Sequence, residues 1–550
     1  MAGVFGRRLS RRALFGAGAA AAFGGAALAL RGSGGRRLPV LYDSRTFNRG
    51  NGAEPDTLDP HLASTLNEDN IIGDMFLGLM TEGAAGNPVP GAALGYKASD
   101  DGLVYTFTLR DHVWSDGEPV TAHDFVYSFR RILDPKTASQ YAAILYPIRN
   151  AQGVNAGKLL PETLGVRARD DRTLEVEFAM EVPYASQLFA YFPTFAVPRH
   201  TIERHGEKWL DPRNIVTNGA YVLEEWLPND HITLVKNPLF YDAKNVAIER
   251  VVFYPTEDYS AALKRFRAGE IDVQNGVPSQ EIDWLKYNMP SVLHASPFMA
   301  TRYIVFNSRV KPFDDLRVRT ALSLAINREI IASRVMRGGE QAAYAFVPPH
   351  MPGYPGTAQI RFRNMPMAAR VEKAKSLLRE AGYGPNNRLS FDFNVYDTSD
   401  TRLIAVALQA MWQTVGADAN ILPSDKKNHY NLLFKRAFSV AWAGYVADYA
   451  DAKDFLFLLQ SSSRDLNYGG YANARYDSLL TVSDFESDPV ARARLLGSAE
   501  QMMLDDVPIA PVFNDVSRNL VSPAVQGWHG NLTDIHRTRH LRLDRTRAAV

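Results

Sequence analysis

Between residues 316 and 446 the chain repeats one pattern: an amphipathic helical run, a glycine stop and a short apolar strand. A helix is expected over 316–337, with Val318, Ala321, Leu322, Ala325 and Ile326 on one face and Gly338 and Gly339 at its end. The same period returns over 371–381, stopped by Gly382, and over 403–415, stopped by Gly416. Apolar strands are expected at 389–395 and 419–422, after the second and third of these helices. Alternating strands and helices imply a parallel sheet covered by helices, so this part of the chain is α/β. The next strand, 438–443, is bounded by Gly444, where backbone can approach a partner closely. Asp448 follows just past that strand end, the place where open α/β sheets bind ligands. A lone carboxylate among Trp442, Tyr445 and Tyr449 suits a cationic group such as an amine in a half-dry site. The same residues also read as a plain loop whose acid caps a helix starting near Asp454.

The N-terminus reads differently from the rest. Arg7, Arg8, Arg11 and Arg12 precede an Ala/Gly-rich apolar run over 13–30, and Ala27-Leu28-Ala29 has the small-x-small form of a cleavage site. Residues 1–29 are therefore expected to be an export signal, and Ser10-Arg11-Arg12-Ala13-Leu14-Phe15 resembles a twin-arginine signature. A retained membrane anchor is the competing reading, against which stand the short length and glycine content of the run. Losing those 29 residues removes four arginines and no acid, which takes the formal charge from +1 to −3. With 61 basic against 60 acidic residues overall, nothing marks a nucleic-acid partner. The chain has no cysteine, which excludes disulfides, thiolate metal sites, a cysteine nucleophile and a lipid-bearing cysteine after the leader.

After a Gly/Arg linker at 30–37, the fold is expected to begin at 38. A helix is expected over 71–80. Within 81–209, Tyr105, Phe107 and Leu109 alternate as a half-buried strand, Leu174, Val176 and Phe178 as another, and Thr121 to Asp124 opens a helix as a capping-box variant. Trp114 and Asp116 read as fold residues. From 210 onward come a hairpin around Pro228-Asn229-Asp230, a strand at 251–254, a helix at 260–268 stopped by Gly269 and a strand at 270–273. A strand at 303–307 is expected to cross into a further domain, a helix to cover 490–504, and 516–550 to cross back. The expected division is domain I from 38–80, 210–304 and 516–550, domain II from 81–209, and domain III from 305–515.

Six segments carry a resemblance. They are Glu54-Pro-Asp-Thr-Leu-Asp-Pro-His61, the run 114–128 beginning Trp-Ser-Asp-Gly-Glu-Pro, Leu133-Asp-Pro-Lys-Thr-Ala-Ser139, Asn214-Ile-Val-Thr-Asn-Gly-Ala-Tyr221, Phe313-Asp-Asp-Leu-Arg-Val-Arg-Thr-Ala-Leu322 and Ala447-Asp-Tyr-Ala-Asp451. In this order they resemble the peptide/nickel class, family 5, of extracytoplasmic solute-binding proteins, and within it the periplasmic oligopeptide binders of ABC importers. The resemblance implies an α/β clamshell of the periplasmic-binding-protein type 2, two lobes with an extra domain inserted in the first, closing on ligand by hinge motion. It implies that an extended peptide lies between the lobes, paired through its backbone, with its α-amino group at Asp448. Trp442, Gly444, Tyr445, Tyr449 and Tyr303 would line the site, and Glu68 and Asp69, beside the first helix, would touch the ligand. The pattern departs from the family at two places: Trp442 stands where the best-studied binders have a carboxylate-binding arginine, and Val310, with Lys311 beside it, where they have a lysine. The partners implied are a peptide and the permease subunits of an inner-membrane ABC transporter, with a monomeric, periplasmic protein free of a lipid anchor. No cofactor or metal is expected. His-Glu-x-x-His, Gly-x-Ser-x-Gly and phosphate-loop motifs are absent from the chain, and the twelve histidines are scattered, so the protein is read as a binder and not an enzyme. Another cargo on the same fold (a murein peptide, dipeptide, amine or metal chelate), an exported hydrolase and a periplasmic chaperone are the alternatives.

Overall fold

Two long antiparallel strands, Leu293–Phe306 and Ile509–Val521, run through the middle of the molecule. The computed structural model that shows them describes residues 45–547, so the expected export signal, the linker and residues 38–44 lie outside the described residues. Pairing between the two strands is interrupted between Pro297 and Thr301 and resumes in a shifted register. A break of this kind bends a strand pair. The two halves of the pair therefore serve different bodies.

On one side of the crossing pair the sheet continues through Val273–Asn275, Thr46–Gly50, Arg250–Tyr254, His231–Lys236 and Tyr221–Leu227. On the other it continues through Val440–Val446, Leu389–Tyr396 and Ala417–Ser424. Thr46–Gly50 is parallel to both of its neighbours, and so is Leu389–Tyr396. The expected parallel α/β sheet thus exists on each side, joined by antiparallel crossing strands into one mixed sheet. Each side has its own apolar core. Phe47, Ile71 and Phe253 belong to the first, and the four-stranded antiparallel sheet of residues 93–177 shares that core through Phe107 and Leu174. Ile304, Leu322, Phe393, Leu408, Trp412 and Val440 belong to the second. These are the first and second lobes below.

Local signals explain most elements. Met367–Glu380 and Ser399–Gln413 form as their apolar period requires, and Gly382 and Gly416 stop them with φ near +92° and +91°, a conformation costly for any residue with a Cβ. Asp124 accepts from the backbone N–H and hydroxyl of Thr121, opening the helix Ala122–Leu133. Tyr221–Leu227 and His231–Lys236 form the hairpin.

Four expectations are corrected. Residues 316–337 are not one helix: Leu316–Ala325 ends at an extended Ile326, Asn327 caps a short turn at Arg328–Ile330, and Ile331–Met336 is wound in the wide π form. The cause is Arg328, whose buried guanidinium donates to the carbonyls of Ser323, Ile326 and Pro511 and satisfies the broken helix end. Apolar spacing cannot register such a break. The helix expected at 71–80 spans Leu66–Met75, because Thr65 and Glu68 form a capping box upstream and Leu77 N–H leaves the helix to donate to Asn218. The strand expected at 270–273 is Val273–Asn275, since the carboxylate of Asp272 is held by Asn48 N–H and Arg545. The crossing strand begins ten residues earlier than 303, at Leu293.

Candidate functional site

The strand Val440–Val446 carries the candidate site to the boundary between the lobes. Its first four residues are fully buried beside Leu389–Tyr396 and the crossing strand. The strand does not stop at Gly444, as the sequence suggests. It runs two residues further, and the partner that approaches Gly444 is the side chain of Arg302, which stands opposite it in register and fills the space a Cβ would take. The Trp442 ring is 1% exposed and packs against Phe513 in the second core.

Asp448 lies two residues past the strand, where three tyrosine hydroxyls converge on it. Tyr445 donates to Oδ2 at 3.1 Å from the same lobe, and Tyr191 and Tyr141 donate to Oδ1 at 2.8 and 3.4 Å from the first lobe. Tyr449, next in sequence, stacks on Tyr184 of the first lobe with centroids 4.2 Å apart and planes at 15°. Asp448 and Tyr449 are thus where the lobes meet. Sequence reasoning missed Tyr141, Tyr184 and Tyr191, because they come from a stretch that reads as scaffold and reach the site only through lobe packing.

The electrostatics are one-sided. Asp454 Oδ2 accepts from the backbone N–H of Asp448 at 2.8 Å, which brings a second carboxyl beside the first. The helix-capping reading is therefore inverted: the helix acid holds the loop. Burial pushes the Asp448 carboxyl up to about 6 despite the hydroxyls that stabilise its charge, and burial together with the Asp448 charge pushes Asp454 well above the usual range. The nearby cations are committed elsewhere, Arg492 to Asp451 through two bonds and Lys453 to Asp484 and a backbone carbonyl. Among the described residues no cation pairs with Asp448 or Asp454. A buried carboxylate without a counter-charge is costly, and a positively charged ligand would relieve it.

Tyr303 is 4% exposed and stands behind the site. It meets Phe346 edge-on, Phe346 meets Phe455, and Phe455 meets Tyr445, a relay of perpendicular rings 5.1 to 5.4 Å apart that fixes where Tyr445 points. Glu68 and Asp69 both have partners within the first lobe. The Glu68 carboxylate accepts from the backbone N–H groups of Asp56, Thr57, Ser64 and Thr65, and Asp69 is ion-paired at 2.8 Å with Arg537, which also holds Glu82. Both acids are spent on tying the first lobe together.

Comparison with known proteins places this geometry. Residues 87–467 match the family described as bacterial extracellular solute-binding proteins, family 5 Middle. The periplasmic oligopeptide-binding protein OppA of Salmonella typhimurium is 38% identical over 496 residues, which cover 89% of this chain and 91% of that one. The solved structure of Haemophilus influenzae OppA in complex with RPPGFSPFR superposes with a TM-score of 0.84 at 33% identity, covering 91% of this chain and 99% of that one. The unliganded open form of the murein tripeptide binding protein MppA superposes at 0.71, with 34% identity over 92% of this chain and 98% of that one. The score is lower for the unliganded open form than for the peptide complex at nearly equal coverage and identity.

Proposed function

The chain belongs to family 5 of the bacterial extracellular solute-binding proteins, and from that premise we propose that it captures oligopeptides between its two lobes and delivers them to an ABC importer. The observation that carries the reading is the carboxylate of Asp448, closed in between lobes with three hydroxyl donors and, among the described residues, no counter-cation. A carboxylate accepts in about four directions. Three are used, which leaves a place for the α-ammonium of a peptide. Tyr141 and Tyr191 act as the latch: they reach the acid only when the lobes are together, so ligand and closure share one anchor. Tyr445 orients the acid, the Tyr184–Tyr449 stack seals one side, and Tyr303 serves from behind through Phe346 and Phe455.

Residence in the periplasm is supported by periplasmic relatives; a twin-arginine-like export signal, the absence of a lipid anchor, a monomeric state and hand-over to a permease belong to the same reading. The absence of catalysis belongs to it too, since the relatives are named for binding. The division into domain I (38–80, 210–304 and 516–550), an inserted domain II (81–209) and domain III (305–515) is the matching architectural proposal. Mass spectrometry of small molecules released on denaturing freshly purified protein tests the function. The reading expects a mixture of short peptides with free amino ends, and a single non-peptide compound would overturn it.

A further inference from the structure

The first lobe carries a cavity that peptide capture does not use. The loop over 237–249 leads into Arg250–Tyr254, which lies parallel to Thr46–Gly50. That loop therefore sits at the amino end of these strands, opposite the carboxyl ends where open sheets take their ligand. Between it and the C-terminal segment lies a cavity of about 230 Å³, with Tyr241, Asp242, Asn245, Arg539, His540 and Arg542 in its wall. Arg539 is tied through one nitrogen, since Nη2 donates to the Thr81 hydroxyl and the Glu82 carbonyl, both at 2.8 Å. His540 turns its Nε2 to the same carbonyl at 3.2 Å. The other terminal nitrogen of Arg539, Nη1, is buried and has no hydrogen-bond partner among the described residues. The neighbouring acids are spent: Glu82 holds Arg537 through two bonds, and Asp74 accepts from the backbone N–H and hydroxyl of Thr538.

The rest of the wall has the same sign. Arg542 is exposed, and its side chain makes no hydrogen bond or ion pair among the described residues. Arg110, just past the strand Val104–Leu109, stands over the Tyr241 ring at 3.8 Å and brings a third guanidinium. Against these stands Asp242, the one carboxylate among the lining residues, whose Oδ1 accepts from Asn245 at 2.6 Å. Three guanidinium groups and one carboxylate leave an excess of two positive charges, which a doubly charged oxyanion balances and a single carboxylate does not. A buried guanidinium nitrogen without an acceptor is costly, and oxyanions are its strongest partners. The volume lies below the range of drug-sized pockets, about 300–1,000 Å³, so the guest is small. We propose that this cavity binds a phosphate monoester or inorganic phosphate, with Nη1 of Arg539 as its buried donor and Arg542 closing on it from the exposed side. The site is separate from Asp448 and does not depend on what the cleft carries.

The test is calorimetric titration of the purified protein with sodium phosphate at pH 7.5, against sodium acetate and sodium chloride at the same ionic strength. Phosphate is expected to bind saturably, acetate at least tenfold more weakly and chloride not at all, and phosphate alone should raise the thermal midpoint. R539Q should weaken phosphate at least tenfold and R542Q at least threefold. If R539Q does not fold, R542Q decides, because its side chain is exposed and supports nothing else. Sedimentation with phosphatidylcholine vesicles, with and without phosphatidic acid, identifies the source of the phosphate. Binding to the phosphatidic acid vesicles that R542Q weakens and free phosphate displaces assigns the site to a lipid headgroup; free phosphate binding without vesicle binding assigns it to a soluble ligand, and both agree with the proposal. A phosphate response no larger than that of chloride, or equal phosphate affinity in wild type, R539Q and R542Q, which would mean an adventitious ion only, overturns it.

Discussion

Asp448→Asn should make the ligand-free protein more stable while destroying its function. Holding the Asp448 carboxyl at about 6 in place of the usual 3.8 corresponds to about 3 kcal/mol by which burial disfavours the charged form. Between about pH 4 and pH 6 the folded chain therefore binds more protons at this site than the unfolded chain, and stability contributed by the group falls as pH rises through that window. Above pH 6 the whole cost is present. Asparagine keeps an oxygen for the hydroxyls of Tyr141 and Tyr191 and carries no charge, so the substitution should recover about 1 to 3 kcal/mol above pH 6 and nothing below pH 4. In a chain this long that is a rise of a few degrees at most in the thermal midpoint. Binding goes the other way. Removing one side of a desolvated charge pair costs about 2–5 kcal/mol, from roughly thirtyfold to a few thousandfold in Kd. Circular-dichroism melts at pH 4, 6 and 8, with calorimetry against a free peptide, read both effects. A lower midpoint than wild type at pH 8, or an affinity within threefold of wild type, would refute the reasoning.

Other consequences follow from the same structure. Y191F removes the 2.8 Å donor that the first lobe places on Asp448; a hydrogen bond to a charged group is worth about 1.5–3 kcal/mol, so peptide affinity should fall about tenfold or more, with the fold unchanged by circular dichroism. Peptide affinity of the wild type should weaken about tenfold for each unit of pH below 6 as Asp448 takes up its proton, and proton release on binding at pH 5.5, measured in buffers of different ionisation enthalpy, checks the origin. R537M strands Asp69 and Glu82 in the first core and should cost about 3–5 kcal/mol of stability, seen as a lower melting midpoint. W442F, which keeps an apolar ring in the second core, should bind peptide within about twofold of wild type, and a larger loss would place Trp442 in the site.

Much of this was legible in the sequence because it is set locally. Helices stopped by Gly382 and Gly416, strands with buried faces and the acid just beyond a strand end are all periodic or punctuated features. What escaped depends on contacts distant in the chain. Arg328 breaks a helix that its apolar spacing declares continuous, by bonding to Pro511, 183 residues away. Glu68 and Asp69 look available beside the first helix until four nearby backbone N–H groups and Arg537, near the other end of the chain, claim them. Gly444 is legible as a place of close approach, but not that the visitor is Arg302 from the neighbouring strand. Tyr141 and Tyr191 lie 307 and 257 residues from Asp448, and no pattern within their own segment marks them as its partners.

The most direct test of the account is a calorimetric comparison of one short peptide with its N-acetylated form at pH 7.5. If the half-buried carboxylate of Asp448, which pairs with no cation among the described residues, captures the ligand amine, the free peptide binds and acetylation weakens it by at least tenfold in the wild type but by no more than twofold in D448N. Equal affinity of the wild type for both forms would contradict the claim that Asp448 is the amine anchor.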